Sequence, residues 1–495
     1  MERGKGGGGY AAWRSARIGI QLLFLAGALA LLYLGQSRFL VGLSPLLGLL
    51  QALAAGFGLV LVSGAVVLAV TLVAGRWFCG WVCPVGTLQQ CFGWLGERVA
   101  SRGERAREIS KRLGWKYLVL AGTLVPVVFG VSWAGWLDPL AVLTRGVEAL
   151  DGLLGIDRRE DWVPSGMLVA DGLLLLLLVA ASARWTRLWC RHICPLGAGL
   201  GAAALASRVR ILRDPDSCTR CNECLRVCQH GCIDGKQWFS AECNYCLNCL
   251  VACPTRALTL ATGAHGGALV DRLPMRSRRS FLASALAGGA LGAAMVRRTV
   301  EVRGFPPDLI RPPGAVPEEH FLRRCHRCGA CMRECPFDVI RPVLAEGGLA
   351  ATFTPKLDFS VSYCRLNCDR CGQACPSGAI QPFSLDVRKP DTKAPLRVGL
   401  AYIDVSRCLP WAYDKGCVTC NEFCPTSPKA VKLVPVPGSD LNGPRVDPVQ
   451  CIGCGACEFV CPLPLPAIIV TSANESRHPD NHVTLRGSEG GVYGP

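Results

Sequence analysis

Thirty cysteines in 495 residues are too many to be incidental, and most of them fall in tight groups. Cys218, Cys221, Cys224 and Cys228, then Cys243, Cys246, Cys249 and Cys253, follow the spacing of bacterial ferredoxins. In that spacing three thiolates hold one iron–sulfur cubane and the fourth, carried away by the chain, holds its neighbour. The chemistry this permits is one-electron transfer. On this rule Cys218, Cys221, Cys224 and Cys253 hold one [4Fe-4S] cluster, and Cys243, Cys246, Cys249 and Cys228 the other. Cys228 lacks the usual following proline and Cys232 lies four residues on, so either can complete the second set. Structural zinc sites use separated pairs of cysteine or histidine rather than two full runs in tandem, which makes zinc the poorer fit.

Four further groups follow: Cys325, Cys328, Cys331 and Cys335; Cys364, Cys368, Cys371 and Cys375; Cys408, Cys417, Cys420 and Cys424; Cys451, Cys454, Cys457 and Cys461. Each ends in Cys-Pro. Sixteen ligands make four cubanes, with two pairings open. If one ferredoxin core nests inside another, the first group trades its fourth ligand with the last, and the second with the third; sequential pairing is the alternative. Six clusters thus use 24 cysteines. Two CxxxCP motifs use four more, Cys79 with Cys83 and Cys190 with Cys194, and Cys91 and Cys232 are left over. The four CxxxCP thiols either pack as small buried hydrophobes or act together, holding a metal or exchanging electrons with a quinol. No CxxCH is present, which argues against covalent haem. Nor is there a Walker loop or dinucleotide fingerprint, which argues against direct oxidation of a nicotinamide.

The elements that must position these groups are of two kinds. Half of the chain is hydrophobic and only 18% is charged, the profile of a membrane protein with soluble parts. Four apolar segments, about 18–35, 54–75, 117–136 and 166–183, approach the length that crosses a bilayer. Between Arg76 and Lys116 there are eight basic residues against three acids, and Arg184, Arg187, Arg191, Arg208, Arg210 and Arg213 follow the fourth segment. Both regions, and with them both CxxxCP motifs, are expected to face the cytoplasm. The net charge of +16 sits largely beside these spans, which argues against nucleic acid as a partner. Asp171 is the one acid inside a predicted span, and Asp138 lies beside Trp133 and Trp136; both are candidate proton acceptors for quinol oxidation.

Ser277-Arg278-Arg279-Ser280-Phe281-Leu282, followed by an apolar run to Met295, looks like a twin-arginine export signal, here internal. Because the run is short and no A-x-A site follows, the expectation is an uncleaved fifth anchor. Beyond it, Phe305-Pro306-Pro307 and Arg311-Pro312-Pro313-Gly314 read as an extended spacer. The expected domains are a membrane part at 1–210, a cytoplasmic two-cluster segment at 211–262 and the signal helix at 263–300. A linker at 301–320, a four-cluster domain at 321–475 and a polar tail at 476–495 complete the chain. The fold class is a membrane α-helical bundle, four spans plus the signal helix, with α+β ferredoxin-like [4Fe-4S] domains.

Residues 1 to about 262, with Phe78-Cys79-Gly80-Trp81-Val82-Cys83-Pro84, resemble the NapH-type membrane polyferredoxin of quinol dehydrogenases. From about 275 onward, the twin-arginine stretch, Arg311-Pro312-Pro313-Gly314 and the four groups resemble the NapG/MauM-type periplasmic ferredoxin. The two are usually separate subunits and here are fused. The resemblance implies a protein of the bacterial inner membrane, its C-terminal domain exported by the twin-arginine translocase. It would take electrons from the quinone pool and pass them to a periplasmic reductase, such as nitrate reductase, or to a cytochrome c. An electron-donating factor for maturing a periplasmic metalloenzyme is the alternative. A bare membrane anchor has no need of six clusters.

Overall fold

The computed structural model describes residues 6–48, 59–99, 114–128, 132–155, 166–234, 237–262, 269–270, 278–301, 308–344, 346–389 and 395–477. The chain divides into two compact units, Met1–Ala149 with Leu168–Ala293, and Leu150–Met167 with Ala294–Pro495.

In the first unit, helices lie on all four expected segments: α1 (Gly6–Tyr33), α2 (Leu59–Ala74), α5 (Trp115–Val128) and α7 (Gly166–Arg184). Among the described residues only the stretch Tyr10–Tyr33 is both long and apolar enough to cross a membrane. The helices nevertheless turn large apolar side chains outward: Leu23, Val62, Val66, Val73 and Leu177 are all more than half exposed. A helix in water hides such a face. Two short helices, α3 (Trp77–Trp81) and α8 (Leu188–His192), each carry the first half of a CxxxCP motif. Each hands over to a longer helix that begins at the motif's proline, α4 (Pro84–Val99) and α9 (Pro195–Ala203). Proline is suited to that first position, since its missing N–H is one the helix could not bond anyway. Between α5 and α7 lies α6 (Pro139–Leu153).

Residues 209–262 fold as a small ferredoxin framework. Strand β1 (Val209–Arg213) pairs antiparallel with β4 (Leu258–Thr262), and β2 (Ile233–Asp234) forms a hairpin with β3 (Gln237–Phe239). The outer pair closes around both cysteine groups and the hairpin separates them.

The signal stretch forms α10 (Arg278–Glu301), and Ser277 lies outside the described residues. Its Ser284 Oγ donates to Leu118 O of α5 at 2.7 Å, and a Cβ on Gly288 would stand 2.9 Å from Gly122 O. Small residues let these two backbones approach closely.

The second unit repeats the ferredoxin topology twice. In the first repeat the outer pair is an antiparallel bridge, Ala315 to Ile380, and the inner hairpin is β5 (Ile340–Pro342) with β6 (Pro355–Leu357). In the second, β7 (Leu400–Ile403) pairs with β10 (Ile468–Thr471), and β8 (Val431–Pro435) with β9 (Asn442–Val446). One continuous core of Phe321, Ile340, Phe359, Ile403, Val431 and Ile468 runs through both repeats. The segment expected to be a spacer is, from Asp308 onward, part of this core. Arg311 is 1% exposed and donates to Thr354 Oγ1 and Pro355 O, while Gly314 sits at φ +83° against Gln381. Its prolines shape a buried turn that leads into the Ala315 bridge, where Ala315 N donates to Pro312 O at 3.1 Å.

Candidate metal centres

Four cysteine groups keep the strict spacing, and they share one backbone shape. The residues two and four after the first cysteine are left-handed in each: Arg220 and Asn222, Tyr245 and Leu247, Arg327 and Gly329, Gly453 and Gly455. Five of these eight carry side chains that disfavour this region, a strain that persists only where the surroundings impose it. The turn wraps the chain around a common centre and aims three thiols inward. A short helical turn then carries the fourth cysteine to the other group of its module.

This settles which groups share a cavity in the second unit. Cys325, Cys328 and Cys331 line a cavity of about 350 Å³ with Cys375. Cys371 has Cys364, Cys368 and Cys335 as its charged neighbours. Cys408, Cys417, Cys420 and Cys461 line a cavity of about 390 Å³, and Cys451, Cys454 and Cys457 one of about 320 Å³ with Cys424. The nested pairing is therefore overturned, and each group exchanges its fourth cysteine with its sequence neighbour. The physical reason is the strand order, since each outer pair closes around two consecutive groups.

These sites fit a cubane better than a single ion. Among the described residues no three cysteine, histidine, aspartate or glutamate side chains converge on one metal ion. Thiolates around a zinc would stand roughly 3.8 Å apart, from Zn–S bonds of about 2.3 Å. Burial also pushes the thiols of Cys335 and Cys408 up to about 11 and those of Cys420 and Cys454 up to about 12. Metal-free, they are protonated at neutral pH, and loading must release those protons.

The two modules meet cysteine to cysteine. Cys364 N donates to Cys454 O at 2.9 Å, and Val398 N to Ile452 O at 3.0 Å. The ring of Phe359 occupies the space a side chain at Gly455 would need. Arg388, fully buried, donates from Nη2 to Cys364 Sγ at 3.5 Å and lies within electrostatic range of Cys454. Among the described residues its other partner is Leu396 O, and no acid bonds it. Nothing in the sequence around Arg388 singled it out.

In the first unit Cys224 has Cys218, Cys221 and Cys253 as neighbours, while Cys249 faces Cys243, Cys246 and Cys228. Cys228 and Cys232 stand 3.2 Å apart, sulfur to sulfur, and both face Cys243, directly or through each other. The framework is fastened to the helices by Glu242, next to Cys243. Its carboxylate, 0% exposed, accepts from Arg76 at 2.8 Å, from Tyr117 at 2.7 Å and from Lys116. A buried carboxylate is tolerable only with such partners.

The two acids expected to serve the quinol differ. Asp171 is paired with Arg145 Nε at 3.0 Å, and the same guanidinium donates to Trp136 O at 2.8 Å. It is neither a free acid nor solvated. Asp138 is fully buried at the start of α6, accepting from Ser44 Oγ at 2.6 Å and Leu140 N at 2.9 Å. Burial outweighs those bonds and pushes its carboxyl up to about 6.

Cysteine-lined cavities on ferredoxin frameworks make this an iron–sulfur electron-transfer protein. A family model described as a 4Fe-4S dicluster domain matches residues 324–379, the first repeat of the second unit. Another, a 4Fe-4S binding domain, matches 55–102 and 172–211. The methylamine utilization ferredoxin-type protein MauM of Methylobacillus flagellatus is 34% identical over 40% of this chain and 82% of its own length. The ferredoxin-type protein NapG of Escherichia coli is 34% identical over 40% of this chain and 86% of its own. The ferredoxin-type protein MauN of Methylorubrum extorquens is 32% identical over 44% of this chain and 74% of its own. The chain belongs to the family of ferredoxin-type proteins that includes MauM and NapG. No solved structure matches it.

Proposed function

We propose that the chain is the electron-carrying part of a membrane quinol dehydrogenase of the bacterial inner membrane. Six [4Fe-4S] clusters would be held by Cys218, Cys221, Cys224 and Cys253; by Cys243, Cys246, Cys249 and Cys228; by Cys325, Cys328, Cys331 and Cys375; by Cys364, Cys368, Cys371 and Cys335; by Cys408, Cys417, Cys420 and Cys461; and by Cys451, Cys454, Cys457 and Cys424. A bound cubane supplies reversible one-electron transfer at a potential tuned by burial and by hydrogen bonds to sulfur. The observation that carries this reading is the direct contact between cavities of the two C-terminal modules, Cys364 N to Cys454 O.

Each quinol gives up two electrons and two protons to become quinone. Asp138, buried and titrating near neutrality, receives a proton, and Asp171 acts by holding Arg145 against Trp136 O. The outward-facing apolar helices support a multi-pass membrane domain in contact with lipid, and the arginine-rich loops support a cytoplasmic first ferredoxin segment. The second unit then works in the periplasm, exported folded and loaded by the twin-arginine translocase. Its acceptor is a reductase or a cytochrome c.

A deletion strain tests this reading. Quinol oxidation through the periplasmic acceptor should collapse and return with the complementing chain. Intact respiratory flux combined with an acceptor lacking its own metal centre would overturn it in favour of a maturation role.

A further inference from the structure

The two CxxxCP motifs are copies of a longer pattern, Arg-x-x-Cys-x-x-x-Cys-Pro-x-Gly, at Arg76–Gly86 and Arg187–Gly197. The structure repeats with the sequence. Each arginine caps a five-residue helix, each second cysteine donates its N–H back to the carbonyl five residues earlier, and each proline opens the next helix. The arginines reach across. Arg187 Nη1 donates to Cys79 O at 3.4 Å and lies 3.5 Å from where a Cβ on Gly86 would stand. Arg76 Nη2 lies 3.2 Å from the Cβ position of Gly197, and Cys194 Sγ lies 3.4 Å from the same point. Each glycine leaves room for the other motif's guanidinium.

All four thiols are buried, and Cys83, Cys190 and Cys194 are each within electrostatic range of Cys79. The surroundings are cationic. Arg76 and Lys116 share one carboxylate, Glu242, and Arg187 bonds Cys79 O, His230 and Gln90, none of them an acid. Among these described residues the cations outnumber the one carboxylate. Arg76 Nε and Nη2 and Arg187 Nε are buried without a hydrogen-bond partner. Buried cations and donors in that condition call for an anion. An oxidised cubane with four thiolates carries −2. A zinc with four thiolates does too, but these sulfurs do not converge on a single ion.

We propose that Cys79, Cys83, Cys190 and Cys194 hold a seventh iron–sulfur cluster, of cubane size, bracketed crosswise by Arg76 and Arg187. The site abuts the first ferredoxin framework. Trp81 Nε1 donates to Tyr245 O at 3.1 Å, and Asn244 O fills the space where a Cβ on Gly80 would stand.

Metal and sulfide analysis of the full chain, purified anaerobically, tests the proposal. The expected count is about 28 irons with matching sulfide, against about 24 for six cubanes. A Cys79→Ser, Cys194→Ser double variant should lose about four irons while the EPR signals of the other clusters persist. A count of about 24 in the wild-type chain, one zinc per chain in that preparation, or wild-type iron in the double variant would each overturn it. The wild-type count stands even if the variant fails to accumulate. It is also independent of the donor: about 28 irons with no quinol oxidation would sink the quinol reading alone.

Discussion

Replacing Arg388 with methionine removes a buried cation from between two cysteine cavities while keeping an unbranched side chain in its place. Its Nη2 stands 3.5 Å from Cys364 Sγ, and among the described residues no carboxylate shares the guanidinium. A hydrogen bond to a charged group contributes about 1.5–3 kcal/mol. The cation favours the state with the extra electron, so its loss lowers the reduction potential. Only the part of that energy that differs between the oxidised and reduced cluster moves the potential; for a one-electron couple, where about 1.4 kcal/mol corresponds to about 59 mV, the fall is at most about 65–130 mV. The cluster liganded by Cys364 should move most and the one liganded by Cys454 less, the others staying put. An EPR-monitored redox titration of full-length Arg388→Met against wild type, at matched iron content, reads this directly. A shift below about 20 mV for every signal, or a shift upward, would refute the reasoning.

Other consequences follow from the same geometry. Cys375→Ser should disturb the cluster liganded by Cys325, Cys328 and Cys331, and Cys461→Ser the one liganded by Cys408; the nested pairing predicts that Cys461→Ser disturbs the Cys325 site, which site-resolved EPR decides. Gly455→Ala puts a methyl into the Phe359 ring at a φ of +83°. With overpacking at about 1–3 kcal/mol and the left-handed backbone at about 1–2, it should lower stability by about 2–5 kcal/mol, read as an earlier thermal loss of cluster absorbance. Asp138→Asn should slow quinol oxidation at pH 7 by about 10²–10⁴-fold with cluster content unchanged. In the wild type the rate should fall as pH drops through about 6, where the carboxylate takes up its proton. Loading of metal-free chain should be favoured as pH rises, because the raised thiols of Cys335, Cys408, Cys420 and Cys454 must each release a proton. A flat pH dependence of loading would contradict the burial assigned to them.

The cysteine spacing alone announced the iron–sulfur chemistry, because three thiolates within a span of seven residues can reach one cubane only through a single backbone turn. The apolar segments announced the helices for a similarly local reason. Pairing between groups was not legible, since it depends on which strands meet: Ala315 with Ile380 and Leu400–Ile403 with Ile468–Thr471 are contacts across more than 60 residues. Arg311-Pro312-Pro313-Gly314 misled because proline-rich composition looks the same in a tether and in a buried turn. The pairing of Asp171 with Arg145 was not legible, because Arg145 lies on another helix. The arginine three residues before each CxxxCP motif was a signal in plain view, visible once the two motifs are aligned.

The central claim, that electrons from quinol enter iron–sulfur clusters of this chain, is tested most directly by anaerobic stopped-flow of the purified protein in lipid nanodiscs. On mixing with a reduced quinol, the iron–sulfur absorbance should bleach as quinone forms, two electrons for each quinol. Clusters that dithionite reduces but quinol leaves fully oxidised, with no quinone formed, would contradict it.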